Sequence, residues 1–534
     1  TSVTGTASND ILIQSASTVT AGTDAVLTAS GDITVTGAST VTATNGSISS
    51  TAGGNLVIEG GSLVDANTSV TGTASNDILI QSASTVTAGT DITLTAGGDL
   101  TLTAATVTAE TSVTGTASGN ILIQSGSLVT AGTYVALDAG HDVTVTGAPS
   151  VTAGTYVEIE TGNDVTVSAD SMVTALSEYI EVTANGNLTV DSSTLDAAGL
   201  VNLAANGGDL TLTIATVEAG TSVTGTAFSD ILIQDASVVT AGTNVDLSAG
   251  GDLTVDASTI VATAGFVKLT AEGDVIVRNT SSITARAGYI DVDAGASILV
   301  NNTSTLLAHT YADLMAIAGA ITVSDTSSVT ATTGYIAATA GTSVIVERTS
   351  FLRARTNVDL TALAGALIVW DDSYVEAQAG YVDGEAATSI LVEADSSVIA
   401  DTSITLTALA GALTVTTRSS VTARKQSVTG VAGTNISVLD DSSVSGYTDV
   451  TLTAGDDLIV DSHDVGTASI TAETGNVLLR AGDNVYVSRT GLVTTLDGDY
   501  TAPGEQQNTL TIVGDYGDTD PEGAWILIEG RILG

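Results

Sequence analysis

The chain contains no cysteine, so neither a disulfide framework nor a thiolate metal site can be built from it. It has three prolines and only 3% aromatic residues. Any interior is therefore thin and made of small side chains. Basic residues are scarce: 12 Lys and Arg stand against 59 Asp and Glu, for a net charge of −47, and none precedes Lys268. Such a surface cannot neutralise nucleic-acid phosphates and is repelled by anionic headgroups, so neither is an expected partner. No apolar run reaches the roughly 18 residues of a spanning helix, so no membrane insertion is expected. No secretory leader pattern opens the sequence, which begins with Thr1. Both ends read as cut or processed from a longer polypeptide.

What is present is repetition. Residues 1–23, TSVTGTASNDILIQSASTVTAGT, return almost verbatim at 68–90, 111–133 and 221–243. The offsets of 67, 43 and 110 residues fit three, two and five steps of a unit near 22 residues, the signature of a repeat array. Between the copies lie looser versions such as NVDLSAGGDLTVDASTIVATAG at 244–265. There Val245, Leu247 and Ala249 alternate with Asp246 and Ser248, Gly250 and Gly251 form a turn, and Leu253 and Val255 alternate with Thr254 and Asp256. A second turn at Ala257 and Ser258 precedes a third short strand around Val261. Period-two alternation punctuated by Gly, Ser, Asn and Asp predicts strand–turn–strand–turn–strand.

Three strands per unit predict an all-β, right-handed, three-sided parallel β-helix (a β-solenoid) of about 22 coils, stacked at about 4.8 Å into a shaft roughly 100 Å long. Coils are expected to begin at Ser2, Asp24, Gly46, Ser69, Asp91, Ser112, Tyr134, Tyr156, Glu178, Leu200, Ser222, Asn244 and Phe266. From 311 onward, YADLMAIAGAITV (311–323), NVDLTALAGALIV (357–369) and SITLTALAGALTV (403–415) each carry two extra residues, expected at the first turn as an apolar bulge. A longer coil from Asp449 has SHDVGTAS (462–469) as its expected loop. The shaft is assigned to 1–498. Residues 499–534, with Pro503, Pro521 and Trp525, are assigned to a C-terminal junction or the start of a further β module. Neither end shows a polar cap, so the ends are expected to dock on neighbouring copies or to continue in a longer chain.

AGTDITLTAGGDLTLTAATVTA (88–109) and AGTNVDLSAGGDLTVDASTIVA (241–262) resemble the repeats of filamentous-haemagglutinin-type adhesins, very large bacterial exoproteins. The resemblance implies an extracellular or cell-surface location, a fibrous shaft, and a role in adhesion or in an extracellular matrix. Glycans are expected separately, as possible partners of an aromatic column. No binding motif of that family maps onto particular residues here.

Stacking turns each repeat position into a column. One column carries Asp or Asn before the second strand. Generic turn capping accounts for it. The alternative is a cation ladder, for calcium above all, in which Asp209, Asp230, Asp252 and Asp274 stand about 5 Å apart and each pair repels by roughly 1 kcal/mol in water. The calcium nonapeptide pattern is absent. A second column, Phe266, Tyr289, Tyr311 and Tyr335, with Tyr134 and Tyr156 earlier, predicts either mutual stacking at a corner or a strip that contacts sugars. A third, Thr-x-Thr, column is interrupted at Leu128, Ser150 and Met172. For catalysis, His141, His309 and His463 fall on distant coils, and Glu158 and Glu160 share a solvated strand face. No catalytic residue is assigned, no cofactor is expected, and the chain is read as a structural protein. The rivals are a carbohydrate-active β-helix enzyme, which shares the fold, and a calcium-dependent adhesive module.

Overall fold

A computed structural model describes residues 1–463, 466–496, 508–517 and 525–533. It is all β, and it divides into two compact units, Thr1–Thr263 and Ala264–Gly534. The first holds 36 strands, from Val3–Ala7 to Thr259–Ala262, three to a coil and so twelve coils. The second holds 33 among the described residues, from Val267–Ala271 to Arg531–Leu533, making eleven coils. Within each unit, every coil lays one strand on each of three faces. Strands of successive coils pair in parallel, as in Ile48, Val70 and Ile92 on the first face, Leu56, Ile78 and Leu100 on the second, and Val64, Val86 and Val107 on the third. The second unit repeats the scheme, with Ile336 opposite Val358, Val344 opposite Leu367 and Leu352 opposite Val375.

The alternation in the sequence becomes the boundary between inside and outside. In the unit at 244–265, Val245, Leu247, Ala249, Leu253, Val255, Ile260 and Ala262 are all buried, while Asp246 and Thr254 face outward. The core is Val, Ile, Leu and Ala throughout. Volume is matched along the stack as well as within a coil. On the first face one inward column reads Gly5, Leu27, Ser50, Gly72, Leu94, Gly115 and Leu137. A Cβ on Gly72 would lie 2.8 Å from Leu56 Cδ2 and 3.1 Å from Leu94 Cδ2. The leucines of adjacent coils thus occupy the space a side chain would need. Around Ser50 and Gly72 the match leaves a void of about 10 Å³, at the lower limit of what holds a water.

Two of the expected coil boundaries shift by one residue. Val3, Ala25, Ile48 and Val70 form one column, as do Val157, Ile180 and Val201, so coils begin at Ser47 and Tyr179 instead of Gly46 and Glu178. The two extra residues of the 24-residue coils are also divided differently from expectation. The first turn, Ile317–Ala320, has four residues where Gly295–Ser297 has three. The second extra residue lies at the third turn, 332–335, between Ser328–Ala331 and Ile336–Ala340. Each corner tolerates one added residue without loss of register, whereas two at one corner would have to leave the stack. The expected loop at 462–469 ends earlier, because Ala468–Ala472 is a strand; Asp464 and Val465 lie outside the described residues.

Within 499–534, Leu510–Val513, Ile526–Ile528 and Arg531–Leu533 pair in parallel with Val477–Ala481, Val485–Val487 and Gly491–Thr495. These three strands form one more coil of the same kind. Pro503 and Pro521, on which the junction was read, lie outside the described residues.

The second turn has a chemistry of its own. Every non-glycine residue with positive φ between Thr1 and Asp441 sits there, often two in succession, such as Asp371 (59°) and Asp372 (57°). That left-handed region costs L-residues roughly 1–2 kcal/mol each. A buried serine follows and fixes the turn. Ser373, 1% exposed, accepts the N–H of Ser350 on Oγ at 3.1 Å, and Ser396, Ser419 and Ser442 continue the series at 3.1–3.2 Å. In other coils the same hydroxyl donates to the carbonyl three residues back, as from Ser62 to Glu59 and from Ser237 to Gln234, at 2.7 Å.

Leu94 lies between Gly72 and Gly115, so neither neighbour in its column can fill a hole. We expect Leu94→Ala to lie near the upper end of the ~2–5 kcal/mol range for such truncations, and Ile159→Ala, flanked by Leu137 and Val182, near the lower end. Denaturant unfolding of the two variants, with hydrogen exchange over coils 92–117, checks the order.

Candidate functional site

The acidic column follows from the first turn. Asp209 Oδ1 accepts the N–H of Asp230 at 3.1 Å, and Asp230 Oδ1 that of Asp252 at 2.8 Å. In the second unit Asp274 Oδ1 accepts the N–H of Ser297 at 2.8 Å. Glycine makes the approach feasible: a Cβ on Gly251 would stand 2.1 Å from Asp230 Oδ1. Asparagines interrupt the charge, and Asn120 and Asn187 donate Nδ2 back to Asp99 and Asp164 at 3.1 and 3.3 Å. The column is thus a chain of turn caps in which a carboxylate oxygen of one coil binds a backbone amide of the next.

A tighter oxygen cluster lies elsewhere, where GDD (455–457) stacks on GDN (482–484). Ligand atoms of Asp456, Asp457 and Asp483 come within 4.8 Å of one another, and Asp457 Oδ1 also accepts both N–H and Nδ2–H of Asn484, at 3.1 and 2.9 Å. The sequence signal was two adjacent acids in one turn, one coil from a third.

The aromatic columns are stacks. Phe266, Tyr289, Tyr311 and Tyr335 follow one another at 5.1, 4.7 and 5.0 Å between ring centroids, with interplanar angles of 12°, 5° and 1°. Tyr134, Tyr156 and Tyr179 do the same at 5.0 and 4.8 Å. Tyr179 was missed because its coil boundary was set one residue early. Stacking turns the ring faces toward each other, so the interior of each ladder offers edges and hydroxyls to a ligand rather than flat faces. A third pair, Phe351 and Tyr374, lies on the third face at 4.8 Å, with the Arg353 guanidinium 5.1 Å from both centroids. Arg353 Nε also meets Glu376 Oε2 at 3.0 Å, and Arg424 approaches the other oxygen at 3.3 Å.

Beside the tyrosines runs an outward row of acids. Asp291 pairs in register with Asp313, and Asp359 with Asp383. Lys268 bridges Asp291 and Asp293 at 2.9 and 3.0 Å, and these hydrogen bonds hold its ammonium far above the ordinary lysine range. Burial, then Asp291 and Asp293, raise the pKa of Asp313. Burial, then the next carboxylate, does the same for Asp359 and Asp383. In the first unit burial raises Glu158, with Glu160 and Glu181 adding to it.

The histidines remain apart. His309 Nδ1 lies 3.3 Å from Thr332 Oγ1, and His463 lies between Asp440 and Asp461 at 3.3 and 3.4 Å. The Thr-x-Thr column is broken earlier than read, because Leu63 and Asp65 stand between Thr40 and Thr42 and the pair Thr85 and Thr87.

Residues 1–127 match the family model described as Hemagglutinin repeat. No curated protein and no solved structure matches the chain. The match spans the copies at 1–23 and 68–90, so the resemblance to filamentous-haemagglutinin-like repeats rests on both the solenoid and the repeat text. Over those residues the chain is similar to the repeats of adhesin-like extracellular proteins.

A carboxyl whose pKa is raised on folding holds more protons folded than unfolded just above the ordinary carboxylate range, so stability there increases as pH falls. We expect these carboxyls to raise the thermal midpoint between pH 7 and a second pH just above the ordinary carboxylate range. Asp313→Asn should shrink that rise. Circular dichroism melts at the two pH values measure both.

Proposed function

We propose that the chain is a structural segment, the shaft of an extracellular bacterial filament or of a giant surface adhesin, and not an enzyme. The observation that carries this reading is the unbroken repetition of register within each unit. Every coil offers its strands to the next in parallel, and the amides between coils are paired, as Ile78 N–H to Asp99 C=O and Leu100 N–H to Asn120 C=O, both at 2.9 Å. The work of such a molecule is mechanical. Among the described residues, force and proteases meet a ladder of backbone bonds in place of long exposed loops. The acidic surface, net −47, keeps copies apart in solution.

The same geometry supports an extension of the stack. The last described strands leave Trp525, Ile526 and Leu533 exposed. A strand edge of this kind is a template for another chain or for further coils. We propose that it is covered by a second copy or by continuing polypeptide.

Negative-stain electron microscopy of the purified chain tests this, with and without a calcium chelator. Long uniform fibres are the expected result for a filament subunit. Separate particles at every concentration would sink that form and leave the shaft of a longer chain. Fibres that dissolve in chelator would move the assignment to a calcium-dependent module.

A further inference from the structure

One corner of the coil changes character between the two units. In the first unit the turn before the second strand carries Asp or Asn in every coil, ending with Asp209, Asp230 and Asp252. In the second unit the same position, after Asp274, reads Ser297, Ala320, Ser343, Ala366, Ser389 and Ala412, and the amide returns only at Asn435. From Gly295 to Asn435 these turns hold no charged residue, in a chain with 59 acids.

The acid is replaced by exposed hydrocarbon. Ile317, Leu363 and Leu409 are 65%, 61% and 58% exposed, and they occupy alternate coils. Their backbones are firmly held, with N–H groups bonded to Ala294, Ala340 and Ala386 at 2.9 Å. The intervening coils carry Gly341, Ala387 and Gly433 at the corner. Gly341 has no room for more, since a Cβ there would lie 2.2 Å from the Ile317 carbonyl oxygen. The corner is therefore a row of aliphatic knobs about 9.6 Å apart, separated by shallow gaps. Next to it, on the second face, the outward row reads Leu299, Thr322, Ile345, Ile368, Leu391 and Thr414, richer in aliphatic residues than the first unit, where threonine holds seven of the twelve positions. Asp293 and Glu385 edge the strip on one side, Glu347 and Glu393 on the other. A contiguous apolar strip with a charged rim marks an interaction surface.

We infer that this strip, from Gly295 to Gly433, is a lateral interface between two copies of this chain, paired antiparallel about a two-fold axis. The period selects the partner. Knobs spaced by two coil rises fit only a surface with gaps at the same spacing, and the same corner of a second copy supplies it. Antiparallel pairing sets each copy's knobs against the other's gaps and closes the assembly at two. Charge selects the place. Two bodies of charge −47 repel over most of their surface, and this strip combines a long uncharged run with exposed hydrocarbon, whereas an uncharged row of the first unit such as Thr101, Leu122, Thr144 and Thr166 is mostly hydroxyl-bearing. The strip is about 30 Å long but only one corner and one outward row wide, so it offers less than the about 800 Å² per partner of a standard interface. Pairing is therefore weak, and salt strengthens it by screening the acidic rims.

This inference goes beyond the shaft reading, which concerns stacking along the coil axis, and it is tested separately. Sedimentation velocity of the whole chain, over a range of concentrations at low and high salt, should show the weight-average mass moving toward twice the monomer value with both variables. Leu363→Asp should hold it at the monomer value with an unchanged circular dichroism melt. Ser118→Asp, which places the same charge on an exposed residue of the corresponding corner in the first unit, should behave as wild type. A wild-type chain that stays monomeric at high salt and concentration overturns the inference. So does a Leu363→Asp chain that associates as wild type does, or a loss of association in Ser118→Asp equal to that in Leu363→Asp. End-to-end fibre formation by electron microscopy is not expected to respond to Leu363→Asp, so the two readings fail independently.

Discussion

The parallel hydrogen bond between successive coils is the constraint from which the rest follows. It fixes neighbours at about 4.8 Å and keeps identical positions in register, so no residue is chosen for its own coil alone. Aspartates in a column would repel, and they are reconciled by binding the next coil's amide and by interleaved asparagines. Tyrosines in a column stack. On the first face some leucines, such as Leu94, alternate with glycines whose space they fill, while elsewhere large branched residues stack directly, as Leu137 does on Ile159. Each of these is a vertical rule imposed on a sequence that is read horizontally.

That difference explains what the sequence disclosed. The three strands per repeat, the identity of the core residues, the whole-coil offsets between verbatim copies, and the columns of Asp209, Asp230 and Asp252 and of Phe266, Tyr289, Tyr311 and Tyr335 were all legible, because they depend only on periodicity. Tyr179 was lost to a boundary error of one residue, since LSEY and AGTY close coils of different length and the residue type does not say which. The placement of the two extra residues was misread for a related reason. Ala-Leu-Ala-Gly stands out by composition, whereas the added residue at the third turn has no compositional mark.

The serine series was illegible for another reason. Serine is everywhere in this chain, and the serine that in most coils is buried after one or two left-handed residues differs from its exposed neighbours only in backbone conformation. It is nonetheless among the least exposed polar groups of the fold. Conversely, the aromatic columns were conspicuous in the sequence, yet stacking occupies much of the ring surface that a ligand would need. A column can also change its chemistry along the stack, as at the corner that carries Asp274 in one coil and Ile317, Leu363 and Leu409 in later ones.

The verbatim copies have an evolutionary consequence. Val3, Val70, Val113 and Val223 occupy the same place in the coil, so recombination between any two copies removes or adds a whole number of coils. An exchange between 1–23 and 68–90 excises three, and every surviving strand still meets a partner in register. Length is thus a heritable quantity that can change in a single event without a folding defect. The length of the stack can thus change in steps of one coil rise.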